Sequence, residues 1–346
     1  MTRIAIVDNE KLRNMQEKLY IQSLCPVNRT GKECIRIDGN GKLTIEEKLC
    51  TGCGICPKAA PLAIKIINLP EKLKQKPIHR YGENQFVLYS MPTPLKGRVT
   101  GVLGVNGIGK STALRILAKV LQPNFGDWTT EGRFSDIIPF FKGTEAQKFF
   151  EELDKGVITV SYKPQQVELI PKTAKGSVKE LLKKVDQRGK LGEVAKELQL
   201  DGFLENDIRE ISGGELQRVA IAACLQKDAD LYLLDEPSAY LDAEQRLVVS
   251  KVVRDFMEQK GATAMVVDHD LLFIDYVATK IMVVDGTPAV KGEVHAPQEM
   301  EDGMNHFLGK LQITLRRDHD TKRPRINKED SYLDREQKGS GKYYYA

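Results

Sequence analysis

The sequence predicts two folded parts: a small cysteine-rich α+β domain in front and an α/β phosphate-loop domain behind it. Three observations carry that prediction. Residues 104–112 read Gly-Val-Asn-Gly-Ile-Gly-Lys-Ser-Thr and fill every fixed position of the pattern G-x-x-x-x-G-K-[ST]. The preceding Val-Thr-Gly-Val-Leu (99–103) has the look of a buried strand, and Leu114, Leu117, Val120 and Leu121 then recur at helical spacing. Five of the six cysteines lie before residue 57. A length of 346 residues suits about two domains, each with its own core.

Strand, glycine-rich turn and helix start are the context in which backbone N–H groups and a helix dipole hold phosphates. Asn106, Gly107, Gly109, Lys110, Ser111 and Thr112 are therefore the first candidate nucleotide contacts. Lys110 is placed to reach the β- and γ-phosphates of ATP, and Ser111 to hold Mg²⁺. Composition fits a soluble protein, with 41% hydrophobic and 29% charged residues. The longest apolar run, 219–225, falls far short of the ~18 residues that a membrane span needs. The first residues, Met-Thr-Arg-Ile-Ala-Ile-Val-Asp, lack an apolar signal core, so the expected location is the cytoplasm. A net charge of +4 permits a nucleic-acid partner without requiring one.

Residues 1–70 form the expected front domain, with apolar strands at 4–7 and 64–67. Cys50, Cys53 and Cys56 make a C-x2-C-x2-C run, and Cys25-Pro26 lies upstream. Bacterial ferredoxins use C-x2-C-x2-C-x3-C-P, the fourth cysteine of each run serving the other cluster. Here the fourth position of the second run is Ala60-Pro61, and residues 1–24 hold no cysteine. The crossing rule then assigns Cys25, Cys50, Cys53 and Cys56 to one complete [4Fe–4S] site and leaves nothing for a second. A zinc site from the same four thiols and a remnant that binds nothing are the competing readings. Cys34 falls outside the pattern and counts as an ordinary buried or free thiol.

A polar, proline-bounded linker is expected at 70–77. Tyr81, then Phe86, are candidates to stack on adenine just upstream of the phosphate loop, with core packing an equal alternative for Phe86. Residues 128–153 interrupt the nucleotide domain with two short amphipathic helices, at 135–141 and 145–153; docking surface and packed decoration are balanced. After a strand at 157–162, Gln165 is positioned for Mg²⁺ and the attacking water. Residues 177–204 are expected to be helical with a solvated face. Ser212 and Glu215 form a capping box before a helix at 216–226, and Ser212, Gly213 and Gly214 offer amides to a γ-phosphate. The apolar strand 231–235 ends in Asp235 and Glu236, suited to Mg²⁺ coordination and to polarising water respectively. Asp242 follows, and His269, at the end of another apolar strand, is a candidate γ-phosphate sensor.

The ordered set of residues 104–112, Gln165, 212–217, Asp235-Glu236, Asp242 and His269 resembles the ABC-type ATPase family. The front cysteines, His79-Arg80-Tyr81-Gly82 and the insert resemble its E subfamily, the RNase L inhibitor family of ribosome-recycling ATPases, along essentially the whole chain. The resemblance implies an α/β P-loop ABC-type ATPase domain (71–310, insert at about 133–153) behind a ferredoxin-like α+β iron–sulfur domain (1–70). A basic, hinge-like tail (311–346) closes the chain, with nine Lys/Arg against six Asp/Glu. Its implied partners are the ribosomal subunit, rRNA and translation release factors, with no membrane.

Family members carry two clusters and two nucleotide domains; this sequence has one cysteine set and one phosphate loop. It resembles a member lacking one nucleotide domain's worth of sequence, spliced near the signature helix. In the family, ATP lies between the phosphate loop of one domain and the signature of the other. A head-to-tail C2 homodimer would supply both halves. The rival expectations are a regulatory ATP-binding protein that pairs with a full-length relative, and a redox or iron sensor in which the lone cluster gates the ATPase.

Overall fold

The computed structural model describes residues 2–39, 41–46, 49–69, 77–83, 85–317 and 324–344. The expected linker at 70–77 lies, except for Pro77, outside the described residues, as do tail positions 318–323 and 345–346.

In the front domain, strand Thr2–Val7 pairs antiparallel with Ile64–Leu69, so its first and last segments close on each other. A hairpin of Ile35–Ile37 and Leu43–Ile45 and the helices Met15–Leu24, Pro26–Arg29 and Ile55–Ala59 complete it. Asn14 caps the first helix by accepting from the Glu17 N–H at 2.9 Å. Pro26 opens the second at its first position, where a missing N–H costs nothing. Ile21, Ile35, Leu43, Ile45 and Ile64 pack around the buried Cys25, Cys34 and Cys56.

The nucleotide domain is built on one eight-stranded sheet. Its order is His79–Arg80, Val87–Leu88, Lys291–Val294, Lys280–Thr287, Val99–Leu103, Thr263–Val267, Leu231–Asp235 and Val160–Lys163. The last five are parallel. Their period-2 alternation feeds two cores, one per face. Tyr232 and Leu234 enter one core, while Leu231 and Leu233 enter the other. Asp235, at the carboxyl end of its strand, comes out beside the phosphate loop, which follows Val99–Leu103 one strand further on across Thr263–Val267.

The expected insert is present as a 3-10 helix, Phe134–Phe141, followed by an α-helix, Glu145–Asp154. Pro139 removes a donor inside the first piece and keeps it out of α geometry. Phe141 stacks on the fully buried Phe150 at 4.3 Å, so one face of the insert belongs to the core.

The helical stretch expected at 177–204 is divided. Val178–Val185 and Leu191–Glu197 are helices, and Asp201–Phe203 is a 3-10 turn. Asp186 causes the break: its carboxylate accepts the N–H groups of Arg188, Lys190 and Leu191, competing with the helix ladder.

The described part of the tail is folded. Leu315–Arg317 pairs with Pro324–Ile326, and the helix Tyr332–Ser340 follows. A buried polar set joins them: Thr314 donates to Asp334 at 2.6 Å, and Asn327 donates to Thr314 at 2.9 Å. Leu315 and Tyr344 belong to the main core of the nucleotide domain. Among the described residues no helix is long and apolar enough to cross a membrane.

Candidate nucleotide site and cysteine cage

The phosphate loop turns where only glycine fits comfortably. Gly107 (φ 75°) and Gly109 (φ 89°) lie in the left-handed region, and a Cβ on Gly109 would sit 2.3 Å from the Phe86 ring. Gly109 caps the helix Lys110–Leu117. The Lys110 ammonium donates to the carbonyls of Gly104 (2.7 Å) and Val105 (2.9 Å). Burial pulls its pKa down to about 8, with Glu236 and Asp235 opposing.

Asn106, Gly107, Gly109, Lys110, Ser111, Thr112, Gln165, Glu236 and His269 line one cleft of about 370 Å³. Asp235 lies beneath them, fully buried, accepting from the Ser111 hydroxyl at 3.0 Å. Burial pushes its pKa up to about 6, partly offset by that hydrogen bond. Glu236 accepts from the Gln165 amide at 2.8 Å and lies 3.2 Å from His269 Nε2. The His269 contact, then the Gln165 bond, hold its carboxyl below the usual range against burial. Three residues picked from separate stretches of sequence thus meet over one carboxylate oxygen.

The two aromatic candidates part company. Tyr81 is exposed, with its hydroxyl 3.1 Å from the Thr112 hydroxyl, at the rim of the loop. Phe86 instead packs against Gly109 and the core beside Leu88, so its ring is a support for the loop.

Ser212, Gly213, Gly214 and Glu215 do not line the cleft. They form the expected capping box at the start of the helix Gly213–Leu225: the Ser212 N–H donates to Glu215 at 2.7 Å, and the Glu215 N–H donates to Ser212 at 3.3 Å. Asp242 is likewise outside it, capping the helix Ala243–Lys260 by accepting from the Gln245 N–H at 2.8 Å. The chain therefore has a phosphate loop with its carboxylates in one place and a signature helix start in another.

In the front domain, Cys25, Cys50, Cys53 and Cys56 line one apolar pocket, as the crossing rule expects, and Cys34 lines it too. The Cys34 sulfur lies against those of Cys25 and Cys50, and burial, then those two neighbours, push its thiol pKa far up. Five thiols, not four, therefore face one pocket. Spacing in sequence carries no sign of the fifth, because Cys34 arrives from the hairpin. Among the described residues no three cysteine sulfurs lie within 4.8 Å of one another. A tetrahedral Zn²⁺ with bonds of about 2.3 Å would need its sulfurs roughly 3.8 Å apart.

A family model described as ABC transporter matches residues 93–239. ABC transporter E family member 3 of Arabidopsis thaliana is 34% identical over 49% of this chain and 83% of its own. The chain belongs to the ABC transporter E family. Translation initiation factor rli1 of Schizosaccharomyces pombe is 41% identical over 89% of this chain and 53% of its own. Among solved structures, a chain of the model of ribosome-bound archaeal Pelota and ABCE1 matches with a TM-score of 0.77 and 47% identity, over 89% of this chain and 52% of that one. The chain spans about half the length of the curated relatives that head the comparison. As a family member it carries an ABC-type nucleotide-binding module similar to those of a translation initiation factor and of ribosome-bound ABCE1.

Two further residues of this E-family site have roles that the sequence does not show: Lys163, and Gln217, which is expected only as part of the signature stretch 212–217. Lys163 is fully buried at the end of its strand and donates to the carbonyls of Asp235 (2.8 Å) and Glu236 (3.0 Å). Gln217, on the signature helix, donates to the carbonyls of Glu236 (2.7 Å) and Pro237 (2.9 Å). Glu236 needs this clamp because its φ of 49° lies in the left-handed region, which a non-glycine residue occupies only when its surroundings hold it there. A lysine after an apolar strand ordinarily marks a strand leaving the core, so no sequence signal separates Lys163 from a surface lysine. Lys163→Met is expected to cost about 1–3 kcal/mol of stability, from buried carbonyls losing a donor. The same change should lower kcat for ATP with KM nearly unchanged, measured by denaturant titration and steady-state kinetics.

Proposed function

We propose that this chain is an ATP-binding and ATP-hydrolysing clamp of the ribosome-recycling type, working as a homodimer. The observation that carries the proposal is the separation of the signature residues Ser212–Glu215 from the cleft that holds the phosphate loop. A nucleotide in that cleft touches Lys110 and the loop amides on one side and leaves its outer face open. The signature helix start of a second copy, with its capped amides and positive dipole end, completes the enclosure of the γ-phosphate. C2 symmetry then makes two equivalent sites, each built from both chains.

Within each site, Ser111, Asp235 and Gln165 are the residues that would hold Mg²⁺, whose charge neutralises the β- and γ-phosphate oxygens. Asp235 suits that role because, among the described residues, its buried carboxylate is bonded only by neutral hydroxyls, Ser111 at 3.0 Å and Tyr162 at 3.4 Å, while Ser111 offers its hydroxyl and Gln165 a carbonyl. Glu236 accepts a proton from the attacking water, which Gln165 and His269 help to align. Tyr81 stacks on the adenine. Closure on ATP and reopening on hydrolysis move the front domain, which the Arg36–Glu83 ion pair (2.8 Å) links to the nucleotide domain.

The front domain is proposed to hold one [4Fe–4S] cluster on Cys25, Cys50, Cys53 and Cys56, with Cys34 as a neighbouring protonated thiol. The apolar pocket lined by these thiols supplies the donor set such a group needs. When bound, the cluster supplies a covalent cross-link between two segments, that of Cys25 and the run Cys50–Cys56, and its role is read as structural. Work in the cytoplasm on the ribosomal subunit, rRNA and release factors follows from kinship with translation factors. The basic tail is proposed as the hinge face of the dimer.

Blocking turnover with Glu236→Gln should trap the closed state. Native mass measurement of that variant is expected to give a monomer without nucleotide and a dimer with ATP and Mg²⁺. A persistent monomer under both conditions removes the clamp.

A further inference from the structure

On one face of the strand Lys280–Thr287, which lies inside the sheet between Lys291–Val294 and Val99–Leu103, the fold gathers a set of side chains that the ATPase does not use. The strand Lys280–Thr287 presents Ile281, Val283 and Asp285 on one face, by alternation. Helix Met300–Leu311 lies directly on that face, because Gly303 has no side chain: a Cβ there would sit 2.4 Å from Ile281. One turn further on, His306 comes over Asp285, with Nε2 3.4 Å from the carboxylate. The backbone N–H of His295, just beyond the strand Lys291–Val294, bonds the Val283 carbonyl at 2.9 Å, which brings its Nε2 to 2.6 Å from the same oxygen. The imidazole rings stand edge to face with centroids 5.0 Å apart. The three ligand atoms lie within 4.8 Å of one another and remain partly open to solvent. The Lys310 ammonium, one further turn along the helix, also pairs with Asp285.

We propose that Asp285, His295 and His306 form a binding site for one divalent ion of the zinc class. Two imidazole nitrogens and a carboxylate oxygen from three elements, roughly 3–3.5 Å apart once drawn onto an ion, are the donor set and spacing of a three-ligand site with a position left open. Imidazole donors favour zinc-class ions over Mg²⁺ and Ca²⁺, so the site is chemically separate from the nucleotide's Mg²⁺. Lys310 competes for the carboxylate and swings out when the ion enters. The ion would tie the sheet to the helix that carries the tail, since Tyr344 is held by Asn305 of the same helix at 2.9 Å.

The test is titration of the full chain with Co²⁺ alone, which distinguishes nitrogen–oxygen ligation from thiolate ligation by its absorption. One equivalent should give d–d bands without thiolate charge transfer. His306→Gln and, separately, His295→Gln should weaken that signal by at least about tenfold. Lys310→Met keeps all three ligands and should tighten binding, so the result does not depend on the histidine variants folding. Cobalt seen only in thiolate coordination overturns the proposal. So does a nitrogen–oxygen signal indifferent to both histidines, or a Lys310→Met chain that binds no more tightly than the parent.

Discussion

An equimolar mixture of Lys110→Ala and Gly213→Asp chains is expected to regain about a quarter of the parental ATPase activity, although neither chain alone has any. Lys110→Ala removes the ammonium that reaches the phosphates and leaves the signature intact. Gly213→Asp does the opposite. A Cβ at Gly213 has ordinary contact distance, 3.6 Å to the Tyr240 ring, so the helix start accepts a side chain. A carboxylate is also favourable at a helix N-terminus, which keeps the fold stable. Its charge repels the γ-phosphate that the partner presents. In a randomly mixed dimer population half of the pairs are mixed, and each mixed pair has one site with both halves intact. If each site were complete within one chain, the mixture would stay as inactive as its parts. If the partner were a full-length relative, the parent chain alone would already be inactive. Rates measured at several mixing ratios separate these outcomes.

How much of this site could be seen in the sequence depended on whether a residue's role is written in its neighbours. The phosphate loop, Asp235-Glu236 and His269 each sit at a strand end beside glycines or carboxylates whose chemistry is local, and all reach one cleft. The signature was legible for the same reason: Ser212 and Glu215 are three apart and bond each other. The roles of Lys163 and Cys34 were not legible, nor was the clamp made by Gln217, which the sequence marks only as part of the signature stretch. Each acts on a partner far along the chain, and their own surroundings look like an ordinary strand end, helix and hairpin. The Asp285, His295 and His306 cluster failed to stand out for a related reason. Their spacing of ten and eleven residues matches no local ligand pattern and becomes a site only because Gly303 lets a helix lie flat on the sheet. Phe86 shows the converse error available to sequence reasoning. An aromatic near a phosphate loop is as easily its support as a base-stacking surface, and only the close approach to Gly109 decides it.

The second large effect is expected in the front domain. Protein purified without oxygen should carry about four irons per chain. Cys56→Ser should lose most of that iron and the cooperative melting of the front domain, while Cys34→Ser keeps the iron. The physical argument is one of size. Some seventy residues bury a small core, and domains of that length usually need staples beyond hydrophobic packing. Here Cys25 and Cys56 are themselves part of the core, beside Ile21, Ile35 and Ile45. Removing one ligand therefore both opens the cage and leaves a polar hydroxyl in an apolar pocket, at a cost that a small domain does not absorb. Cys34 is as deeply buried in that core as Cys56, so its serine also costs stability; it differs in standing outside the four-cysteine ligand set, and iron content is the readout that separates the two variants. ATP binding, built on Lys110 and the central sheet, should survive both changes. Iron analysis, calorimetry and nucleotide binding on the three proteins distinguish the outcomes. Eight irons, zinc held by thiolates, or iron lost from Cys34→Ser as readily as from Cys56→Ser would each overturn the four-cysteine assignment.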